Sequence, residues 1–138
     1  MRRGAEDGTL VPVPLRCLIV DDNADFLRVA AGLLERQGLA VVGVASNGAD
    51  ALARARESRP DVVLLDIALG AESGFDVARR LGAADPDGAR VILISTHAEA
   101  DFAELIDATP AAGFVPKAEL SASAIERLAA PPDAPRAS

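Results

Sequence analysis

Aromatic residues are nearly missing from this 138-residue chain, which has four phenylalanines and neither tryptophan nor tyrosine. Its core must therefore be built from Ala, Val, Leu and Ile, and a hydrophobic content of 50% is enough to build one. The single cysteine, Cys17, excludes an internal disulfide. Cys17 lies inside an apolar run, where a small buried thiol is expected rather than a reactive one. Basic residues are also short, 14 against 21 acidic, for a formal net charge of −7. That balance argues against a sequence-independent grip on nucleic acid and against docking on an anionic membrane. No apolar run approaches the length of a membrane span. Arg2 and Arg3 are followed by Glu6, Asp7 and Gly8 instead of the apolar stretch a secretory leader needs. The expectation is one soluble, cytoplasmic domain.

What is present is an alternation of short apolar runs and helical patterns. Five runs read as strands: Cys17–Val20, Val41–Ala45, Val62–Leu65, Val91–Ile94 and Gly113–Pro116. Most are unbroken, which suits strands covered on both faces of a parallel sheet. Phe26, Ala30, Leu33 and Leu34 mark a first helix stopped by Gly38. Ala49, Leu52 and Ala53 mark a second, capped by Asn47 with Asp50 three residues on. Val77, Ala78 and Leu81 mark a third, Phe102, Leu105 and Ile106 a fourth, and Ile125, Leu128 and Ala129 a short fifth. Residues 1–14 read as a flexible lead-in, 15–130 as the domain, and 131–138 as a disordered Pro/Ala-rich tail. The fold class is α/β, a doubly wound (βα)5 five-stranded parallel sheet in the order 2-1-3-4-5.

In such sheets ligands bind at the carboxyl ends of the strands, where the strand order reverses. The first run ends in Asp21 and Asp22, and the third ends in Asp66. In the 2-1-3-4-5 order these strands are neighbours, so three carboxylates converge and repel unless a cation sits among them. Carboxylates without histidine or cysteine disfavour zinc, and carboxylates with waters and a phosphate suit Mg²⁺. Ser95 closes the fourth run and Lys117 follows the fifth. A lysine and a hydroxyl at those ends can bind phosphoryl oxygens. Taken singly, each of these residues also has a plain reading as a cap, a strand-end polar group or a surface lysine.

The segments Leu18-Ile19-Val20-Asp21-Asp22, Val63-Leu64-Leu65-Asp66, Val91-Ile92-Leu93-Ile94-Ser95 and Gly113-Phe114-Val115-Pro116-Lys117 together resemble the receiver domain of bacterial two-component response regulators, of the CheY-like, flavodoxin-like fold. The resemblance spans nearly all of residues 15–129, and Gly74 falls at the family's loop glycine. It implies Asp66 as phospho-acceptor, Asp22 as a direct Mg²⁺ ligand, Asp21 acting mainly through water, and the Ala68 backbone carbonyl as a further ligand. Lys117 would pair with the phosphoryl group. Ser95 and Phe114 resemble the switch pair, with the ring turning inward when the hydroxyl moves. The implied partners are a sensor histidine kinase or phosphotransfer protein and a downstream protein. A homodimer through the face of the fourth helix, fifth strand and fifth helix is a further expectation, with no direct nucleic-acid or membrane contact.

Several positions depart from the family. Gly70 stands where the proline four residues after the acceptor is usual, which points to a more mobile loop. Thr96 stands where Ala or Gly is usual and can hinder access to the acyl phosphate. His97, the only histidine, matches a position that tunes dephosphorylation, as do Thr96 and Ala68. Only 21 residues, 118–138, follow Lys117, so a stand-alone regulator, not itself an enzyme, is expected. The rivals are a receiver-fold interaction module that works without phosphorylation and an Asp-nucleophile phosphatase of the haloacid-dehalogenase type. The phosphatase needs a second Asp where this chain has Ala68.

Overall fold

A computed structural model describes residues 14–96 and 102–129. In chain order the strands are β1 (Arg16–Val20), β2 (Ala40–Ala45), β3 (Val62–Asp66), β4 (Ala68–Leu69), β5 (Glu72–Ser73), β6 (Arg90–Ser95) and β7 (Gly113–Pro116). The helices are α1 (Ala24–Arg36), α2 (Gly48–Ser58), α3 (Gly74–Ala84), α4 (Ala103–Asp107) and α5 (Ala122–Ala129). Five strands form one parallel sheet in the order β2-β1-β3-β6-β7. This is the expected 2-1-3-4-5 order once β4 and β5, a separate antiparallel pair, are set aside.

The unbroken apolar runs divide by alternation between two cores. Cys17, Ile19, Val62, Leu64, Ile92, Ile94 and Val115 pack with residues of α1 and α5. Leu18, Val20, Val63, Leu65, Val91, Leu93 and Phe114 pack with residues of α2 and α3. β3, flanked by β1 and β6, is buried along its whole length. The edge strand β2 is mostly half-buried, and Val44 stays exposed. A register shift between Cys17 and Leu18 leaves Val42 without a partner on β1. Pro116 lacks an N–H, and it sits on the other edge strand, where that loss is tolerated.

The helices differ from the sequence reading in phase. In α1 the fully packed residues are Leu27, Ala30 and Leu34, with Phe26 and Leu33 half-buried. Asn23 is its N-cap, accepting from Phe26 N at 3.1 Å. In α2 the expected Asn47 cap forms, with Asp50 N donating to Asn47 Oδ1 at 2.8 Å. The expected face is corrected, however: Ala49 is exposed, and Gly48 and Ala51 are buried. Gly48 fits that buried place because it has no side chain: a Cβ would lie 2.7 Å from Glu72 Oε2 and 2.9 Å from Val77 Cγ2. α3 buries Val77 and Ala78 as expected, and α5 buries Ile125. The fourth helix forms only as five residues, with Phe102 at its N-cap. Residues 1–13, His97 and 130–138 lie outside the described residues, and with them most of the expected lead-in and tail.

The Cys17 thiol is fully buried, and burial pushes its pKa up to about 12. Thiolate is the nucleophilic form, so alkylation of Cys17 should wait on global unfolding. Iodoacetamide labelling followed by mass spectrometry across a urea series should give a labelling midpoint that coincides with the unfolding midpoint.

Candidate functional site: a carboxylate cluster at the strand ends

The parallel registers bring the strand ends level. Val20 pairs with Leu65 and Asp66 pairs with Ile94, while Ser95 pairs with Pro116, so the residues that follow share one edge of the sheet. Asp21, Asp22 and Asp66 each offer a carboxylate oxygen there, all within 4.8 Å of one another. Asp21 and Asp66 are buried, whereas Asp22 is exposed. A groove of about 760 Å³ between α2 and α3 opens at the opposite end of the sheet, where β3 and β6 begin, and none of the expected site residues lines it.

Each carboxylate is held locally. Asp21 Oδ1 accepts from Asn23 N at 2.8 Å, which also turns the chain into α1. Asp66 Oδ1 accepts from Ala68 N at 3.1 Å. Lys117, at the start of a 3-10 turn after β7, reaches across with Nζ 2.6 Å from Asp21 Oδ2 and 3.2 Å from Asp66 Oδ2. Asp21 Oδ2 is fully buried against this ammonium. The ammonium also lies 4.3 Å from the centroid of the Phe26 ring, a favourable cation–π contact.

These neighbours fix the protonation balance. Burial, aided by the negative field of Asp21, raises the Asp66 pKa; the Ala68 N–H and Lys117 pull against them without winning. Burial by itself would lower Lys117, but Asp21 and Asp66 outweigh it and the lysine is raised, so it stays charged. One fixed ammonium thus faces three carboxylates, a cluster two positive charges short of balance.

Ser95 is buried at the end of β6, and Thr96 is exposed beside it. Phe114 is already buried, within the core on the α2 and α3 side. The segment after Asp66 folds as the β4–β5 hairpin, an element the sequence reading missed. Gly70 turns its tip with φ +61°, and a Cβ there would lie 3.4 Å from Asp22 Oδ2. The hairpin closes on Gly74, whose N–H donates to Ile67 O at 2.8 Å. A Cβ on Gly74 would overlap the Asp66 carbonyl oxygen and lie 2.6 Å from Ile67 Cα. Two more residues escaped the sequence reading. Asn23 had a legible signal as a cap-forming residue before a helix, whereas nothing in the spacing marks Phe26 as the partner of Lys117.

The fold and the strand-end cluster define a class: a doubly wound domain presenting buried carboxylates and one lysine at the strand ends. Residues 17–129 match the model of the response regulator receiver domain, and the chain belongs to that family. It is 35% identical over 105 residues to the response regulator GacA of Pseudomonas viridiflava, covering 75% of this chain and 48% of that protein. The chain spans about half the length of the curated relatives it matches first. Among solved structures, it is similar to the signal receiver domain of the response regulator NarL from Mycobacterium tuberculosis, with a TM-score of 0.75 and 31% identity over 86% of this chain and 98% of that one. It is also similar to a response regulator from Burkholderia pseudomallei solved with a phosphorylated aspartic acid and a calcium ion, with a TM-score of 0.71 and 28% identity over 84% of this chain and 66% of that one. No helix among the described residues is long and apolar enough to cross a membrane.

Two outcomes follow. Gly74→Ala should cost about 3 kcal/mol or more, because its Cβ meets backbone that cannot move aside; urea unfolding measures it. Asp66→Asn should stabilise the metal-free protein at neutral pH. The native state holds the Asp66 proton to higher pH than the unfolded chain does, so this carboxylate subtracts stability as pH rises through that window. The gain in Tm should therefore shrink as pH falls toward the ordinary carboxylate range and be lost below it.

Proposed function

We propose that Asp66 accepts a phosphoryl group from a histidine kinase or phosphotransfer protein. The observation that carries this is the convergence of three carboxylates within 4.8 Å, with Lys117 Nζ 3.2 Å from Asp66. The donor set fits a hard divalent cation: it is all oxygen, and its three carboxylates, within 4.8 Å of one another, leave two negative charges beyond what the Lys117 ammonium balances. Asp21, Asp22, Asp66 and the Ala68 carbonyl would hold Mg²⁺, which when bound neutralises charge on the incoming phosphoryl oxygens.

The chain's own residues do the rest. An Asp66 carboxylate oxygen attacks phosphorus, an acyl P–O bond forms as the P–N bond of the phosphohistidine breaks, and the electron pair stays on the departing imidazole. Ala68 N, bonded to Asp66 Oδ1, fixes the orientation of the nucleophile. Lys117, charged and three-quarters or more enclosed at 15% side-chain exposure, supplies a fixed positive charge for the phosphoryl oxygens. Ser95 offers a hydroxyl to the product, and Thr96 and His97, which follow it in the chain, together with Ala68, tune how fast water removes the group. Phe114, three residues upstream of Lys117 and on β7, carries the change toward the face of α4, β7 and α5. That face would then engage a downstream protein or a second copy of the chain. The phosphorylated aspartate of the Burkholderia relative supports the same assignment here by similarity.

Incubation with Mg²⁺ and acetyl phosphate should add the mass of one phosphoryl group, read by intact mass spectrometry. The adduct should vanish in Asp66→Asn and without metal, and should be strongly reduced in Lys117→Ala. A chain that takes no phosphoryl group from small donors or kinases is an interaction module independent of phosphorylation. Steady turnover of phosphate esters would instead indicate a phosphatase, despite Ala68 at the place of its general acid.

A further inference from the structure

Glu72 is a half-exposed glutamate on β5, six residues beyond the acceptor, and its carboxylate is fully engaged. Its Oε1 accepts from Gly48 N, the first residue of α2, at 2.7 Å. Its Oε2 lies 3.5 Å from Arg80 NH1 on α3. The room for it is made by a missing side chain, since a Cβ on Gly48 would lie 2.7 Å from Glu72 Oε2. A carboxylate at the start of a helix is also favoured by the helix dipole. One side chain thus joins the β4–β5 hairpin to two helices.

The hairpin it joins is the acceptor loop. Leu69 pairs with Glu72, and Ala68 pairs with Ser73. Ala68 N holds Asp66 Oδ1 at 3.1 Å, and the Gly70 turn lies against Asp22. Two-residue strands cannot hold such a hairpin by their own ladder, and Gly70 adds backbone freedom at the tip. Leu69 anchors β4 in the core, and Ser73 caps α3 by accepting from Phe75 N at 3.2 Å. Glu72 is the polar tether on the strand facing α2.

We propose that Glu72 is a positioning residue: by tying the acceptor hairpin to α2 and α3 it holds Ala68 and Gly70 against Asp66 and Asp22, and so sets the affinity of the carboxylate cluster for a divalent cation and the lifetime of the phosphoryl group. The inference rests on the cluster being a Mg²⁺ site, as proposed above. Groups that orient metal ligands without touching the metal typically change affinity by about 10–100-fold.

The test is Mg²⁺ titration of the unphosphorylated protein by calorimetry, with amide hydrogen exchange measured on the same samples. Glu72→Ala should weaken Mg²⁺ binding by about tenfold and speed exchange at Gly48 and across residues 68–73. Glu72→Gln keeps the acceptor for Gly48 N and should restore most of both. Should the alanine variant fail to fold, Glu72→Asp keeps the charge on a shorter arm and should show the same weakening. A folded Glu72→Ala with unchanged Mg²⁺ affinity overturns the inference, as does a Glu72→Gln as weak as the alanine variant. If the wild-type protein itself binds no Mg²⁺, the metal reading and this inference fall together; if it binds and Glu72→Ala binds equally, only this inference falls.

Discussion

Three carboxylates share a volume in which, among the described residues, one ammonium is fixed. Asp21 is fully buried, Asp66 nearly so, and Lys117 is the ammonium that both face. Like charges this close raise a pKa or call in a cation, and burial removes the water that would otherwise screen them. Asp66 bears the strain, with its pKa raised against the pull of Lys117 and Ala68 N. The surrounding structure keeps the imbalance from relaxing. Asn23 N fixes one oxygen of Asp21, and the Phe26 ring lies against the face of the ammonium.

That arrangement depends on the sheet being parallel and doubly covered. Strands with both faces in a core cannot slip by one residue without moving every side chain to the wrong side. The alternation of Leu18 and Ile19, Val63 and Leu64, and Leu93 and Ile94 between the two cores therefore locks the register, which sets the level of Asp21, Asp66 and Ser95. Stability and site geometry share this one constraint.

Glycine allows the remaining closeness. Gly74 lets the first turn of α3 lie directly against the Asp66 and Ile67 backbone, and Gly48 leaves space for the Glu72 carboxylate. Gly70, at φ +61°, makes the turn that brings the hairpin against Asp22. The loop around that turn is a hairpin whose Glu72 carboxylate accepts from Gly48 N of α2.

The sequence by itself determined the five strands of the sheet, their order and the residues that end them. Apolar runs of strand length bounded by Asp, Ser or Lys carry that information locally, and all of them lie within the residues 17–129 that match the receiver family. Most of the core was legible for the same reason, because burial on both faces leaves no polar position in a run such as Val62–Leu65. Helix phase was less so: Phe26 packs against the core as its spacing implies, but the fully packed Leu27 beside it has no place in that spacing, and Ala51 rather than Ala49 is buried in α2. Periodicity reports that one side is buried, while the rotation of a weakly patterned helix is decided by its contacts. Only the tertiary structure decided that Phe26 lies over Lys117, that Glu72 reaches Gly48, and that residues 68–73 pair as a hairpin. Each of these joins residues far apart in the chain or ladder groups with no periodic signature. Their pairing is set by distance and direction across packed elements, which no local pattern records.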